Sequence, residues 1–198
     1  MSKQPGRQVC RHAPAARPDV PNRLEREFDV SKPDPVWCGD ITCIRAEGCR
    51  RYLAVALDLC TRRAVGLGMP STAHAELAIR VPDMAYEHRG RPVCVLFHTD
   101  ERSQYASRAP RLRLWRYRMT QSMSRRGNCR DNAPMERLLR SLTSEWDPTL
   151  GNARAREAQK DSGYHLMHYC NRWRPHQFNN GPPPAKAEEK LYSLSGGS

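Results

Sequence analysis

A chain of 198 residues with 38% hydrophobic and 7% aromatic residues can bury one modest core. Thirty-three Lys and Arg against 21 Asp and Glu leave a formal charge of +12, which favours a polyanionic partner because each phosphate contact releases counterions. No apolar run approaches the ~18 residues of a membrane span, and the first twenty residues hold no apolar stretch, so neither a membrane segment nor a signal peptide is expected. Residues 1–30 are rich in Pro and Arg without periodicity and read as a disordered or extended lead-in. "PVWCGDITCIR" (35–45) alternates as a strand does, and "EGCR" reads as a turn. "RYLAVALDL" (51–59) predicts a strand buried on both faces, and "RRAVGLGM" (62–69) a third strand closing a β-meander.

"TAHAELAIRVPDMAYEHRG" (72–90) has helical spacing at Ala75, Ile79 and Met84, with Pro82 expected to kink or shorten the helix. "PVCVLFHTD" (92–100) predicts a fourth buried strand. "SRAPRLRLWRYRM" (107–119) predicts a helix with Pro110 in its first turn and Leu112, Leu114, Trp115 and Met119 on or near its apolar side. "TQSMSRRGNCR" (120–130) is short of apolar residues and reads as a mobile loop. Residues 132–146 predict a helix capped by Asp131 or Asn132, burying Met135, Leu138, Leu139, Leu142 and Trp146. Residues 155–173 predict a weaker helix broken near Gly163, and "NNGPPPAKAEE" ends the fold. The domain reading is a lead-in at 1–30, a core at 31–178 and a tail at 179–198. Strands and helices in this order make a mixed sheet flanked by helices. Eight cysteines without a CxxC pair are expected as reduced thiols of a cytosolic protein. His165, His168 and Cys170 lack the second cysteine pair of a zinc site.

Nine arginines and no acid occupy residues 102–130. Arg108, Arg111, Arg113, Arg116, Arg125, Arg126, Arg130 and, further on, Arg140 are the candidate DNA contacts. Three carboxylates stand near this basic stretch or at strand ends: Asp40 within the first strand, Asp100 past the fourth, Glu136 in the first turn of the 132–146 helix. Open α/β sheets gather ligands at the carboxyl ends of their strands. Three acids brought together repel one another, and divalent cations would relieve that repulsion. Two such ions about 3.5–4 Å apart would stabilise the attacking and leaving oxygens of a phosphodiester displacement. Taken singly, each acid also has a structural reading: Asp40 at a bulge, Asp100 in a turn, Glu136 paired with Arg140. Asp131 lies about 140° round a helix from Glu136 and is assigned to capping. Asp58 reads as structural, and His98 as either a partner of Asp100 or a structural histidine.

"VWCGDIT", "YLAVALDLCTRRAVG", "HTDERSQYAS", "QSMSRRGNCRDNAPMERLLRSL" and "RPHQFNNGPPP" together resemble the insertion-sequence-3 family of bacterial transposases, most nearly its insertion-sequence-911 group. The resemblance runs from about Asn22 to about Glu189. It implies an α/β, RNase H-like core of retroviral-integrase type, with a mixed five-stranded sheet flanked by helices. It implies a metal-dependent triad at Asp40, Asp100 and Glu136, with thirty-five residues between the last two, holding two Mg²⁺ (or Mn²⁺) ions. The implied reaction is DNA strand cleavage and strand transfer in transposition: water or a 3′-hydroxyl attacks a phosphodiester in line, without a covalent enzyme intermediate. Transposon ends and target DNA are the implied partners, and the loop 122–130 is expected to contact or shape DNA near the scissile phosphate. The active form is expected to be a homo-oligomer in the bacterial cytoplasm, associated with the nucleoid. The chain departs from the family at Glu101-Arg102, where Arg-Gly or Gln-Gly is usual, and at Thr143, where lysine is usual. Leu138 and Leu139 replace an aromatic pair, and Pro82 and Pro110 replace helix formers. Without the family's upstream DNA-binding region, these departures read as drift in a truncated copy. The alternative is then a non-catalytic DNA-binding remnant; an RNase H-type ribonuclease would share the fold.

Overall fold

The computed structural model describes residues 19–46, 49–69, 74–101, 104–145 and 154–195; residues 1–18 of the lead-in, the turn residues Glu47 and Gly48, Arg102 and Trp146 lie outside these. Five strands form one mixed sheet in the order β3-β2-β1-β4-β5. β1 (Val36–Ala46), β2 (Cys49–Asp58) and β3 (Ala64–Gly68) are the antiparallel meander. β4 (Leu96–Thr99) and β5 (Thr120–Met123) add on in parallel on the other side of β1. β4 is shorter than its apolar run: Val93 and Cys94 are exposed and Cys94 has φ 61°, so the chain enters the sheet only at Leu96. β5 corrects the loop expected at 120–130. Its four residues TQSM carry no apolar run, and parallel pairing with β4 is what makes them a strand.

Two helical layers cover the sheet. On one face α1 (His74–His88) buries Leu77, Ala78, Val81 and Ala85 against Trp37, Ala54, Ala56, Val65 and Phe97. Of the expected Ala75–Ile79–Met84 line, Ile79 and Met84 are half-buried beside this stripe, and the side chain of Ala75 lies outside the described residues. The helix also runs on through Pro82, because the apolar face it buries outweighs the one backbone hydrogen bond that proline removes. Close packing here requires glycine in β3: a Cβ on Gly66 would sit 2.6 Å from the Val81 carbonyl oxygen. α2 (Arg108–Arg116) joins the same layer through Leu114, with Pro110 in its first turn as expected. Leu112 and Trp115, expected inside, are 48% and 75% exposed.

On the other face α3 (Ala133–Glu145) lays Met135, Leu139 and Leu142 over Cys38, Leu53, Val55 and Leu57, with Leu138 partly buried beside them. α4 (Ala155–Gly163) adds Ala158. Where a break near Gly163 was expected, the helix passes into a π-helical turn, Tyr164–Cys170, that seats Leu166 in the same core. The cysteines are split: Cys38, Cys60 and Cys170 are buried, but Cys43 and Cys94 are exposed, and all five are free thiols.

Both ends of the expected core carry more structure than their sequence announces. α5 (Pro184–Ser195) lies within the stretch read as a tail, and its buried Glu188 pairs with Arg89 at 2.6 Å and Arg63 at 2.8 Å. Arg89 in turn holds Asp34 just before β1. Buried Asp58 accepts the amides of Asp34 and Cys60, the structural role read for it; burial pushes its carboxyl up to about 6. Asn179 donates to the Thr61 carbonyl, and the Arg62 guanidinium lies 3.8 Å over the Phe178 ring, so the 176–181 turn is clamped to the β2–β3 turn. In the lead-in, Leu24 is buried in the α3-side core.

Candidate active site

β1 and β4 run side by side, and their register pairs Cys38 with His98 and Gly39 with Thr99. One step further brings Asp40 level with Asp100, at the carboxyl end of β4. Side chains alternate along a strand, so Asp40 shares the face of Cys38, the face covered by α3. Glu136 stands in the first turn of α3. All three acids are half-buried. Burial pushes the Asp40 carboxyl up to about 6, and the nearby charges of Asp100 and Glu136 push the same way against the Ile41 amide, which donates to Asp40 Oδ1 at 2.7 Å. Asp100 Oδ1 accepts the Glu101 amide at 2.8 Å. The trio is thus brought within electrostatic reach, as an open cluster: among the described residues no three His, Cys, Asp or Glu side chains are gathered into a closed ion cage. Their donor set is nonetheless all carboxylate oxygen, the chemistry that hard divalent cations take.

Asp131 does not cap α3. It lies in a 3₁₀ turn, Cys129–Asn132, that leads into the helix, and its carboxylate is fully buried. Five donors converge on it. Arg125 gives its backbone N–H (3.1 Å), Nε (3.0 Å) and Nη2 (3.1 Å), Arg26 gives Nε (2.7 Å) and Asn22 gives Nδ2 (3.0 Å). The Arg125 hydrogen bonds, then those of Arg26, hold the Asp131 carboxyl well below the usual carboxylate range despite burial.

His98 is the structural histidine of the two readings. It is fully buried, with Nδ1 2.8 Å from Ser122 Oγ and Nε2 3.3 Å from Ser124 Oγ. Ser122 Oγ already accepts the Arg23 and Leu24 amides, so its proton goes to Nδ1 and the ring carries its own on Nε2. Burial lowers the ring's pKa to about 4, against the pull of Asp131, and it is neutral at neutral pH. Tyr105, which residue-by-residue reading did not single out, is buried close enough to feel the Asp40 charge; its hydroxyl has no partner among the described residues.

The arginines divide between layers. Arg108, Arg111 and Arg116 are exposed on α2, which lies with α1 across the sheet from α3; Arg108 and Arg111 line a groove of about 490 Å³ together with Leu112 and Trp115. Arg113, on the same helix, pairs with Asp83 at 3.4 Å. Arg126, Arg130 and Arg140 are exposed on the loop, the 3₁₀ turn and α3, on the side of the acids. Arg125 shares that side but is the clamp on Asp131. A cavity of about 390 Å³ lies between Pro21 and Asn22, Glu101, and the loop residues Arg125 and Arg126. Thr143 turns its hydroxyl back onto the Arg140 carbonyl.

The integrase core domain model matches residues 30–129. Transposase InsF of insertion sequence IS3A from Escherichia coli (strain K12) is 36% identical over 171 residues, covering 85% of this chain and 59% of that protein. The InsO protein of insertion sequence element IS911B, also from Escherichia coli (strain K12), is 46% identical over 78 residues, 39% of each chain. The chain therefore spans about three-fifths of the length of its InsF relatives. Among solved structures, the HTLV-2 integrase catalytic core domain in complex with magnesium superposes with a TM-score of 0.60 at 15% identity, covering 79% of this chain and 97% of that one. A chain of the simian T-cell lymphotropic virus intasome gives 0.67 at 17% identity, covering 86% and 58%. These likenesses show the fold, an RNase H-like sheet of retroviral-integrase type. No described helix is long and apolar enough to cross a membrane.

Proposed function

Because the chain belongs to the integrase core domain family, on its insertion-sequence-3 transposase branch, we propose that it is a catalytic core for metal-dependent cleavage and strand transfer of DNA. In this reading Asp40, Asp100 and Glu136 hold Mg²⁺ or Mn²⁺, two ions in all. Transposon ends and target DNA are the substrates, and the working form is a homo-oligomer. The observation that carries the reading is the β1–β4 register, which sets Asp40 level with Asp100 under the first turn of α3 and leaves Asp40 repelled by both other acids.

When bound, divalent metal would supply positive charge at the attacking and leaving oxygens of an in-line displacement. The chain's own side chains do the rest. Asp40, Asp100 and Glu136 would hold that metal beside the reacting phosphodiester. Arg126, Arg130 and Arg140 receive the flanking backbone on the α3 side of the sheet. His98, neutral and enclosed by two serines, supports β4 and takes no part in proton transfer. The alternative, a core that no longer cleaves, is favoured by one observation: Thr143, one turn-pair beyond Glu136 on the same helix face, carries no charge and bonds back to its own helix, so the phosphate contact a lysine there would make beside Glu136 is missing.

One assay separates the two. Nicking or strand transfer of terminal-repeat DNA should require Mg²⁺ or Mn²⁺ and vanish in Asp100→Asn, while duplex binding persists. Cleavage that survives in Asp100→Asn would remove the acids from the chemistry. Binding without any cleavage by the unaltered chain would leave the DNA-binding reading.

A further inference from the structure

We propose that Asp131 is the positioning residue of this site: its buried carboxylate locks the lead-in strap (21–28) and the loop (124–128) onto the start of α3, and so sets where Glu136 stands against Asp40 and Asp100. The inference rests on the reading of those three acids as the metal-holding set.

The strap, more than a hundred residues upstream, and the loop just before Asp131 meet on one carboxylate. Asn22 and Arg26 arrive from more than a hundred residues upstream and Arg125 from across the loop. Glu136 follows Asp131 by five residues, roughly 7.5 Å along a helix axis, with the stiff 3₁₀-to-α junction between them. Movement of the anchor is therefore passed to Glu136.

The strap is itself held under strain. Glu25 and Arg26 are consecutive non-glycine residues in the left-handed region, at φ 49° and 67°. Such conformations persist only where surrounding contacts over-determine them, and they gather at functional sites. Here the contacts are the Arg26–Asp131 pair, the Asn22 side-chain Oδ1 accepting the Leu24 and Glu25 amides, and Ser122 Oγ accepting the Arg23 and Leu24 amides. Ser122 also bonds His98 on β4, two residues before Asp100. The strap is thus tied at once to the helix of Glu136 and the strand of Asp100.

The test compares Asp131→Asn, Arg26→Gln and Asn22→Ala with the unaltered chain. The readouts are thermal melting, hydrogen exchange of 19–28 and 124–138, Mn²⁺ binding followed by EPR without DNA, and nicking kinetics. Asp131→Asn should melt cooperatively and exchange at least about tenfold faster in both segments. It should bind Mn²⁺ more weakly and lose roughly 10- to 100-fold in kcat, as a misplacement of about 1 Å would cause, with KM for DNA within about twofold. The strap variants should shift the same readouts in the same direction, less far. A folded Asp131→Asn with unchanged exchange and Mn²⁺ affinity overturns the proposal. Should Asp131→Asn fail to fold, Arg26→Gln and Asn22→Ala carry the test, and unchanged Mn²⁺ affinity in both overturns it. If the unaltered chain neither binds Mn²⁺ nor nicks DNA, the reading of the acids fails, while exchange in 124–138 still decides whether Asp131 is the lock.

Discussion

Replacing Asp40 with Asn should abolish cleavage and yet make the metal-free protein more stable. In the folded chain the Asp40 carboxyl titrates at about 6, against an ordinary 3.8, because it is buried and faces Asp100 and Glu136. A carboxyl with a raised folded pKa favours the fold when protonated. That contribution is whole below pH about 4, and it is lost as the pH rises through about 6. A shift of about two units corresponds to about 3 kcal/mol, and partial solvent exposure reduces it to about 1–3 kcal/mol. Asparagine keeps an acceptor for the Ile41 amide and removes the charge. For a chain of this size about 2 kcal/mol raises Tm by roughly 4–8 °C. Melts in chelator at pH 7.5, 5 and 4 should show Asp40→Asn above the unaltered chain at 7.5, with the gap closing at pH about 4. Saturating Mg²⁺ should then raise the unaltered chain by about 3 kcal/mol at a hundredfold excess over Kd and leave the variant in place. A variant that melts at or below the unaltered chain in chelator at pH 7.5, or a gap independent of pH, refutes the idea that Asp40 is a repelled, half-buried acid.

The buried Glu188–Arg89 pair makes α5 part of the fold. Glu188→Ala strands Arg89 with Asp34 alone and should cost about 3–5 kcal/mol in urea unfolding; a loss below about 1 kcal/mol would make α5 a dispensable appendage. His98 should govern the mild-acid limb of the stability curve. Its folded pKa of about 4 lies below the ordinary 6.5, so the neutral ring supports the fold above pH about 6.5 and about 3 kcal/mol is lost as pH falls to about 4. Asp40 and Asp58 act with opposite sign over much of the same window, so the measurement is the difference between the unaltered chain and His98→Asn: it should shrink as pH falls through that range, and a constant difference would place the proton elsewhere.

What the sequence makes legible follows how far apart the cooperating residues are. Each strand of the meander and each of α1, α2 and α3 announces itself within fifteen residues, through apolar period and turn chemistry, and the spacing of Asp40, Asp100 and Glu136 is carried by motif. β5 does not announce itself, because four residues of TQSM are stabilised by β4 and not by their own pattern. Asp131 reads as a cap because an acid just before a helix usually is one; nothing near it in sequence points to Asn22 and Arg26, whose partnership spans more than a hundred residues. Glu188 falls in the stretch read as a tail for the same reason: its partners Arg89 and Arg63 lie about a hundred residues upstream. Pro82 shows the converse. Its local penalty is plain in the sequence, while the packing that overrides it is spread over Leu77, Ala78, Val81 and Ala85 and the strands beneath.

The charge of +12 is divided among arginines with different surroundings. Segment 102–130 looks like one basic surface, but its arginines have different tasks. Arg113 pairs with Asp83 within the α1–α2 layer, and Arg125 closes the loop onto Asp131. Arg126 and Arg130 extend from that closed loop on the side of the acids, whereas Arg108, Arg111 and Arg116 face outward across the sheet. A linear count of arginine therefore overstates how much cation stands beside Glu136. Counterion release scales with phosphates contacted, not with arginines present. The salt dependence of duplex binding should accordingly respond to Arg126→Ala by about one unit of slope, while Arg125→Ala should act through loop order and leave the slope nearly unchanged. Equal slope changes from both would mean that the Arg125–Asp131 clamp opens on DNA and that the loop is not the rigid element the three Arg125–Asp131 hydrogen bonds describe.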